Sequence, residues 1–375
     1  MLANLKLARP AVWLFYIVIC LEFLFMISPF ALYFYASYGP ILNLFHVSSV
    51  TAWLSGFFLP HFSTTSSPVI NALKPVGFGI SAFGLLSFVV GAIQIYGAKL
   101  LRRKAVTGGL YKISRHPQYA ALAILGFGVM LIWPRFVALI TYVTMLFLYY
   151  YLARWEESHC LELYGESYRQ YMDRVGLFLP KKLTFWVPSS RPWMDKPIAV
   201  LSLYLLVLVF SVGAATVIRN YSIAQISSYY EKDRAVISPA PIDEGSLRAA
   251  VDLALSDSDV RKRLDQARAR SPWIIYVVPT SWYLPDLPLN RWDEIPTENQ
   301  GGHTTPAKFE HGQFKILFTL ARTHNPGSRG TRIIETAYGR DPILRVQVNQ
   351  QESAVLAIED PPKSVVWGDI PTPIF

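Results

Sequence analysis

Long apolar runs fill the first 218 residues, and short runs broken by turn-forming residues fill the rest. A helix needs about 20 apolar residues to cross roughly 30 Å of hydrocarbon. Residues 11–37, 75–98 and 197–218 meet that length. Residues 118–133 and 136–153 form two shorter runs, separated by Pro134 and Arg135. Their length and their separator predict a tight helical hairpin shielded by its neighbours, each arm short for an independent span. Residues 41–62 contain His46, Ser48, Ser49, Thr51 and Pro60. That polarity predicts an interfacial or re-entrant helix that does not cross.

After residue 218 the period changes. Pro239 and Pro241 suggest a linker, and Leu247, Val251, Leu255, Val260 and Leu264 recur at helical spacing through 246–269. Strand-like runs follow at 273–278, 314–321, 332–338, 343–348 and 354–358, separated by Pro, Gly and Asn. The expected fold class is a multi-pass α-helical membrane protein of about five transmembrane helices, one pair being the short hairpin, with a C-terminal α+β extramembrane domain. The expected divisions are 1–74 (first transmembrane helix and interfacial segment), 75–196 (membrane core with cytoplasmic segment), 197–218 (transmembrane helix) and 219–375 (extracytoplasmic α+β domain). No internal repeat, low-complexity tract or nucleotide-binding glycine loop interrupts the pattern.

Charge sets the orientation. Charged residues are only 16% of the chain, against about 25% in soluble proteins. Residues 1–218 hold 17 basic and 7 acidic side chains, whereas 219–375 hold 18 and 19, so the basic excess belongs to the apolar half. Basic residues interleaved with spans mark cytoplasmic loops and exclude a nucleic-acid-binding surface. Lys6 and Arg9 place the N-terminus in the cytoplasm. Lys99, Arg102, Arg103 and Lys104 place the end of the second span there, and Lys181, Lys182, Arg191 and Lys196 the start of the last. Residues 219–375 then lie outside the cytoplasm, periplasmic if the membrane is a bacterial inner membrane. The first run is longer than the 7–15-residue apolar core of a signal peptide. Cys20 and Cys160 make neither a disulfide framework nor a metal motif. His303, His311 and His324 have no metal-ligand spacing, so no metal site is expected.

The chemistry-bearing stretch is 106–180. Val106-Thr107-Gly108-Gly109-Leu110-Tyr111 leads into Arg115-His116-Pro117-Gln118-Tyr119 at the mouth of the hairpin, and Arg154-Trp155-Glu156-Glu157 ends its return arm. Opposite charges thereby meet at one end of the hairpin. Pro117 suits a first helical turn, whose free N–H groups can receive a polar ligand group. A carboxylate pair opposite them could hold a cation or the hydroxyls of a ribose. Ionisable groups at membrane depth are costly and usually mark a site. The residues alone leave one alternative open: a juxtamembrane belt, with Arg115 on lipid head groups and the glutamates in salt bridges.

The pattern Gly-x-Tyr-x-x-x-Arg-His-Pro-x-Tyr resembles the signature of the isoprenylcysteine carboxyl methyltransferase and phospholipid methyltransferase superfamily. The second half of that signature is matched by Glu156-Glu157, Tyr164-Gly165, Tyr168, Tyr171 and Val175, its one mismatch being Cys160 at the family's Leu, with Leu161 one step later. The resemblance covers about 75–180. It implies S-adenosyl-L-methionine as methyl donor, bound within the membrane helices at the cytoplasmic face. It assigns cofactor binding to Tyr111, His116, Pro117, Gln118, Tyr119, Glu156 and Glu157. Gln94, late in the second span, is a candidate for lining the same cavity, and Arg154 for orienting an anionic substrate group. His116 is expected as a hydrogen-bonding contact and not a general base. Three positions depart from the family: Ala121 for Gly, Cys160 for Leu, and Leu177 where Arg is common.

Two functions follow from the resemblance. One is a membrane methyltransferase acting on a lipidic or amphipathic acceptor, with membrane lipids as surroundings. The other is a non-catalytic scaffold whose domain 219–375 docks other membrane protein subunits.

Overall fold

The computed structural model describes residues 17, 19–35, 42–45, 48–101, 106–183, 196–267, 271–291, 304–325 and 327–362. Ala11 and Ser37 at the ends of the first predicted run, the flanking Lys6, Arg9, Arg102, Arg103, Lys104 and Arg191, and also His46 and His303, lie outside them. The described chain divides into two compact units.

The first unit comprises residues 1–39, 75–132 and 138–212. It holds α1 (Ile19–Tyr35), α4 (Pro117–Ile132) and α6 (Glu166–Arg174), and all but the terminal turns of α3 (Pro68–Leu100), α5 (Phe136–Tyr164) and α7 (Pro197–Ile223). Among the described residues, α3, α5 and α7 are long and apolar enough to cross a membrane, with mean hydropathies of 2.1, 1.8 and 2.5; α1 and α4 are shorter apolar helices. On α7, Leu201, Leu205, Leu206, Val209 and Phe210 are all more than half exposed. A row of that size is stable only against hydrocarbon, so the chain is an integral membrane protein. One expectation needs correcting. The return arm of the hairpin is not short: α5 runs 29 residues, because its helix continues past the apolar run through Glu156 and Glu157 to Tyr164.

Small residues set the helix spacing. A Cβ on Gly84 would lie 2.4 Å from the Leu125 backbone nitrogen, and one on Gly128 would lie 2.5 Å from that of Ser81. α3 and α4 therefore touch backbone to backbone, the membrane solution that favours glycine. Tyr33 is fully buried, and its hydroxyl donates to the Gly126 carbonyl at 2.8 Å. This bond fixes α1 against α4. Lys99 pairs with Glu22, tying α1 to α3 as well.

The second unit comprises residues 40–74, 133–137 and 213–375. Among the described residues, segment 41–62 is not the single interfacial or re-entrant helix expected. It holds a four-residue helix, α2 (Leu42–Phe45), a 3-10 turn (Ala52–Ser55), and then an irregular, largely buried stretch from Phe57 to Phe62. Phe58 N–H donates to Pro134 O at 2.8 Å, and Phe136 N–H donates to Gly56 O at 3.0 Å. The Arg135 guanidinium lies 3.9 Å from the centre of the Phe57 ring. These contacts replace the intrahelical bonds that the polar, Pro-containing sequence forgoes.

The remainder of the unit is a six-stranded sheet in the order β1 (Ser227–Tyr230), β2 (Arg234–Ser238), β3 (Trp273–Pro279), β4 (Gln313–Thr323), β5 (Ala337–Asn349) and β6 (Ala354–Glu359). All neighbours are antiparallel except β2 and β3, which are parallel. A parallel pair requires a crossover, supplied by α8 (Glu244–Ser256) and α9 (Ser258–Gln266). Leu247, Ala250, Val251 and Ala254 recur at helical spacing with zero exposure, packed in one core with Val236, Ile274 and Phe318.

The sequence expectation for this region was one helix; the structure has two. Asp257 adopts extended backbone, and its carboxylate accepts from Asp259 N–H at 2.8 Å and Val260 N–H at 3.2 Å. It thereby starts a new helix. Residues 332–336, expected as strand, form α10 (Arg332–Thr336), where the adjacent Ile333 and Ile334 are both buried. Two consecutive inward side chains break strand alternation. β1 and β2 precede Pro239 and Pro241, where the linker was expected, and are two strands the sequence reading did not anticipate.

Candidate functional site

The site lies in the first unit, where the 106–119 segment, the end of α5 and the 171–178 segment converge. Backbone pairing creates it. Arg115 N–H donates to Gly176 O at 2.9 Å, and His116 N–H donates to Leu177 O at 3.1 Å. Ser114 Oγ also donates to Leu177 O, at 3.0 Å. Leu177, where the family often has Arg, thus holds the motif through its carbonyl. Pro117 starts α4, where its missing N–H costs no intrahelical bond.

On α5 the buried residues Met145, Tyr149, Ala153 and Glu157 recur every four positions. That stripe carries Glu157 inward and leaves Glu156 about 100° around the helix. The two neighbours consequently have different surroundings: the Glu157 side chain is 1% exposed and that of Glu156 39%. Glu157 faces three basic groups. Arg115 Nε donates to Oε1, Arg154 Nη1 donates to Oε2 at 3.2 Å, and His116 Nε2 lies 3.7 Å from Oε1, beyond hydrogen-bond length. Arg115 also donates from Nη1 to the carbonyls of Met172 at 2.9 Å and Val175 at 2.6 Å. Arg115 and Glu157 therefore brace the site from behind.

Glu156 faces forward. Tyr119 Oη donates to its Oε1, and His116 Nδ1 is 3.3 Å from its Oε2. Rings stack through the site: His116 on Tyr119 at 5.5 Å and 4°, then Tyr119 on Tyr149 at 4.8 Å and 17°. Among the described residues, His116 Nε2 is buried without a hydrogen-bond partner. Burial disfavours the charged ring of His116, but the two facing carboxylates outweigh it and raise its pKa above the ordinary 6.5.

A second group supports the first. Gln118 Nε2 donates to Gly91 O at 3.1 Å and to Tyr111 Oη. Tyr171 Oη donates to Tyr111 O at 2.7 Å, and Leu110 N–H donates to Gln94 Oε1 at 3.2 Å. Gly109 has φ +58, and a Cβ there would fall 2.2 Å from Gln94 Nε2. Only glycine meets both demands at this position.

The structure therefore brings His116, Tyr119, Arg154, Glu156 and Glu157 into one cluster, with Gln94, Tyr111 and Gln118 as its hydrogen-bonded support and Pro117 as the hinge between them. Sequence reasoning passed over Tyr149 and Gly91. Tyr149 carried a usable signal, since it lies two helical turns before Glu157. Gly91 acts through its carbonyl, which no side-chain pattern reveals. In the sheet domain, His311 packs against Phe309 at 5.0 Å and His324 against Tyr338 at 4.9 Å between ring centres.

Fold and cluster together define a helical membrane protein with a buried acid–base site at one end of a helical hairpin and a separate sheet domain. Residues 81–167 match the family model described as phospholipid methyltransferase, a family of the isoprenylcysteine carboxyl methyltransferase and phospholipid methyltransferase superfamily. The match runs from within α3 into α6 and contains both halves of the cluster. No curated protein and no solved structure matches the chain.

Proposed function

We propose that this protein is a membrane methyltransferase that uses S-adenosyl-L-methionine to methylate a lipidic or amphipathic acceptor at the cytoplasmic face of a bacterial inner membrane. The observation that carries this reading is the meeting of His116 with Glu156 at 3.3 Å, from segments 40 positions apart, inside the stretch that matches the family model. In this reading α1 and α4 cross together with the three longer helices, giving five spans. The sheet domain then lies outside the cytoplasm, and the divisions expected from the sequence stand as functional ones.

The residues fit the cofactor. Glu156 presents a part-exposed carboxylate held by Tyr119, suited to accepting hydrogen bonds from a ribose diol. His116 Nε2, buried and unbonded, supplies a further polar contact. When bound, S-adenosyl-L-methionine supplies the activated methyl group. The chain's own residues would bind, orient and exclude water, and orientation alone can supply about 7–11 kcal/mol. Glu157 and Arg115 hold His116 in place. Arg154, 53% exposed, orients an anionic group of the acceptor.

The test is saturable binding of S-adenosyl-L-methionine to the purified protein, followed by mass spectrometry of lipids from cells with and without the gene. A lipid species shifted by one methylene mass supports the reading. Absence of binding, together with an unchanged Glu156→Gln variant, removes it. A scaffold reading is favoured by one observation: the six-stranded domain lies wholly outside the family match. Copurification of a stoichiometric partner through that domain would support the scaffold.

A further inference from the structure

The antiparallel pair α5 and α7 encloses a groove of about 530 Å³, lined by Thr144, Phe147, Leu148, Tyr151, Val200 and Leu201, among others. Its floor is closed where Thr144 Oγ1 and Tyr204 Oη share a hydrogen bond of 2.8 Å and Phe147 meets the Tyr204 ring at 5.2 Å. The two hydroxyls satisfy each other, so the wall offers apolar contact with no unpaired donor there. From Thr144 to Tyr151 the groove extends about 10 Å along α5. Its rims are open, with Leu148 41%, Tyr151 43% and Leu201 57% exposed. Both helices are long and apolar enough to cross a membrane. The medium against this groove is therefore hydrocarbon.

One end of the groove is charged. Tyr151 and Pro197 mark that end. Arg154 follows Tyr151 by three positions and shares its face of α5, and Lys196 immediately precedes Pro197. Both cations are exposed. Arg154 uses Nη1 toward the buried Glu157, which leaves further donors of its planar fork for a phosphate. Tyr151 has the amphipathic character typical of the membrane interface. An apolar trough ending in two cations is complementary to one chemistry: a hydrocarbon tail with a negative head.

We propose that the α5–α7 groove is a binding site for an anionic membrane phospholipid, one acyl chain lying along Phe147, Leu148 and Leu201 and the head group held by Arg154 and Lys196. α7 and Lys196 lie outside the residues matching the family model; Arg154 is shared with the acceptor-orienting role proposed above, so the test is read on Lys196 and the groove.

Native mass spectrometry of the full chain tests this. The protein is released from micelles containing equimolar phosphatidylglycerol and phosphatidylcholine with identical acyl chains. Wild type should retain phosphatidylglycerol about 30-fold over phosphatidylcholine, the selectivity of two interfacial cations at about 1 kcal/mol each. Lys196→Gln should lower that ratio by about fivefold. Leu201→Trp and Leu148→Trp, which fill the groove from opposite walls, should lower retention of both lipids while the protein elutes as a single species. Equal retention of the two lipids by wild type assigns bound lipid to the general belt and overturns the proposal. So does wild-type retention in both tryptophan variants. Head-group selectivity is read on the wild type, so it stands even if a tryptophan variant fails to fold.

Discussion

Arg115 and Glu157 form a buried ion pair across 42 positions, their side chains 11% and 1% exposed. Each also serves a second partner: Arg115 the carbonyls of Met172 and Val175, and Glu157 the guanidinium of Arg154. Removing one partner of such a pair strands the other without compensation and costs about 3–5 kcal/mol. Arg115→Met and Glu157→Leu should each lower the unfolding temperature sharply in micelles. The double variant should recover part of that loss.

Glu156 should separate from Glu157 in the same measurements. It is part-exposed and bonded to Tyr119. Glu156→Gln should leave thermal stability near wild type. It should weaken S-adenosyl-L-methionine binding about 10- to 100-fold, the worth of a hydrogen bond to a charged group. Isothermal titration beside a melting curve distinguishes the two glutamates. Equal effects of both variants on stability would contradict the assignment of one to bracing and the other to binding.

Gly109 and Gly108 make a matched pair of tests. Gly109 sits at φ +58 against Gln94, whereas Gly108 has φ −99 and nothing within 4 Å of a Cβ. Gly109→Ala should cost about 1–2 kcal/mol from backbone strain alone and displace Gln94 from Leu110. Gly108→Ala should be silent. Thermal unfolding and ligand affinity measured on both variants check this.

Asp243 gives the sheet domain a defined pH response. As the N-cap of α8, its carboxylate accepts from Ser246 Oγ at 2.6 Å and Ser246 N–H at 2.9 Å, and these bonds depress its pKa below 3.8. A depressed pKa contributes stability above the unfolded value, and that contribution is lost as pH falls through the folded value. Asp243→Asn keeps a capping oxygen but not the charge. Its unfolding temperature should lie below wild type at neutral pH, and the gap should close below pH 3.8.

The legibility of this chain differs between its parts, for physical reasons. Spans are written in composition, so α3, α5 and α7 could be located from the sequence; all three helices run past their apolar runs, α5 most of all, because helix continuity outlasts apolarity once Glu156 and Glu157 leave the hydrocarbon. The cluster was legible because Arg115-His116-Pro117 and Glu156-Glu157 occur together in one motif. Which glutamate faces inward was not, since that depends on the stripe from Met145 through Tyr149 and Ala153. Segment 41–62 was misread because Phe57 and Phe62 find their partners through tertiary contacts that no local period encodes. Asp257 looked like one more polar helical residue until its carboxylate was seen capping α9.

The strand order of the sheet bears on how this part of the protein is made. Each strand lies beside the one synthesised just before it. The β1–β2 and β5–β6 connections are short, whereas β2–β3 and β3–β4 are each joined across more than 30 residues, so the hairpins close quickly and the centre of the sheet closes late.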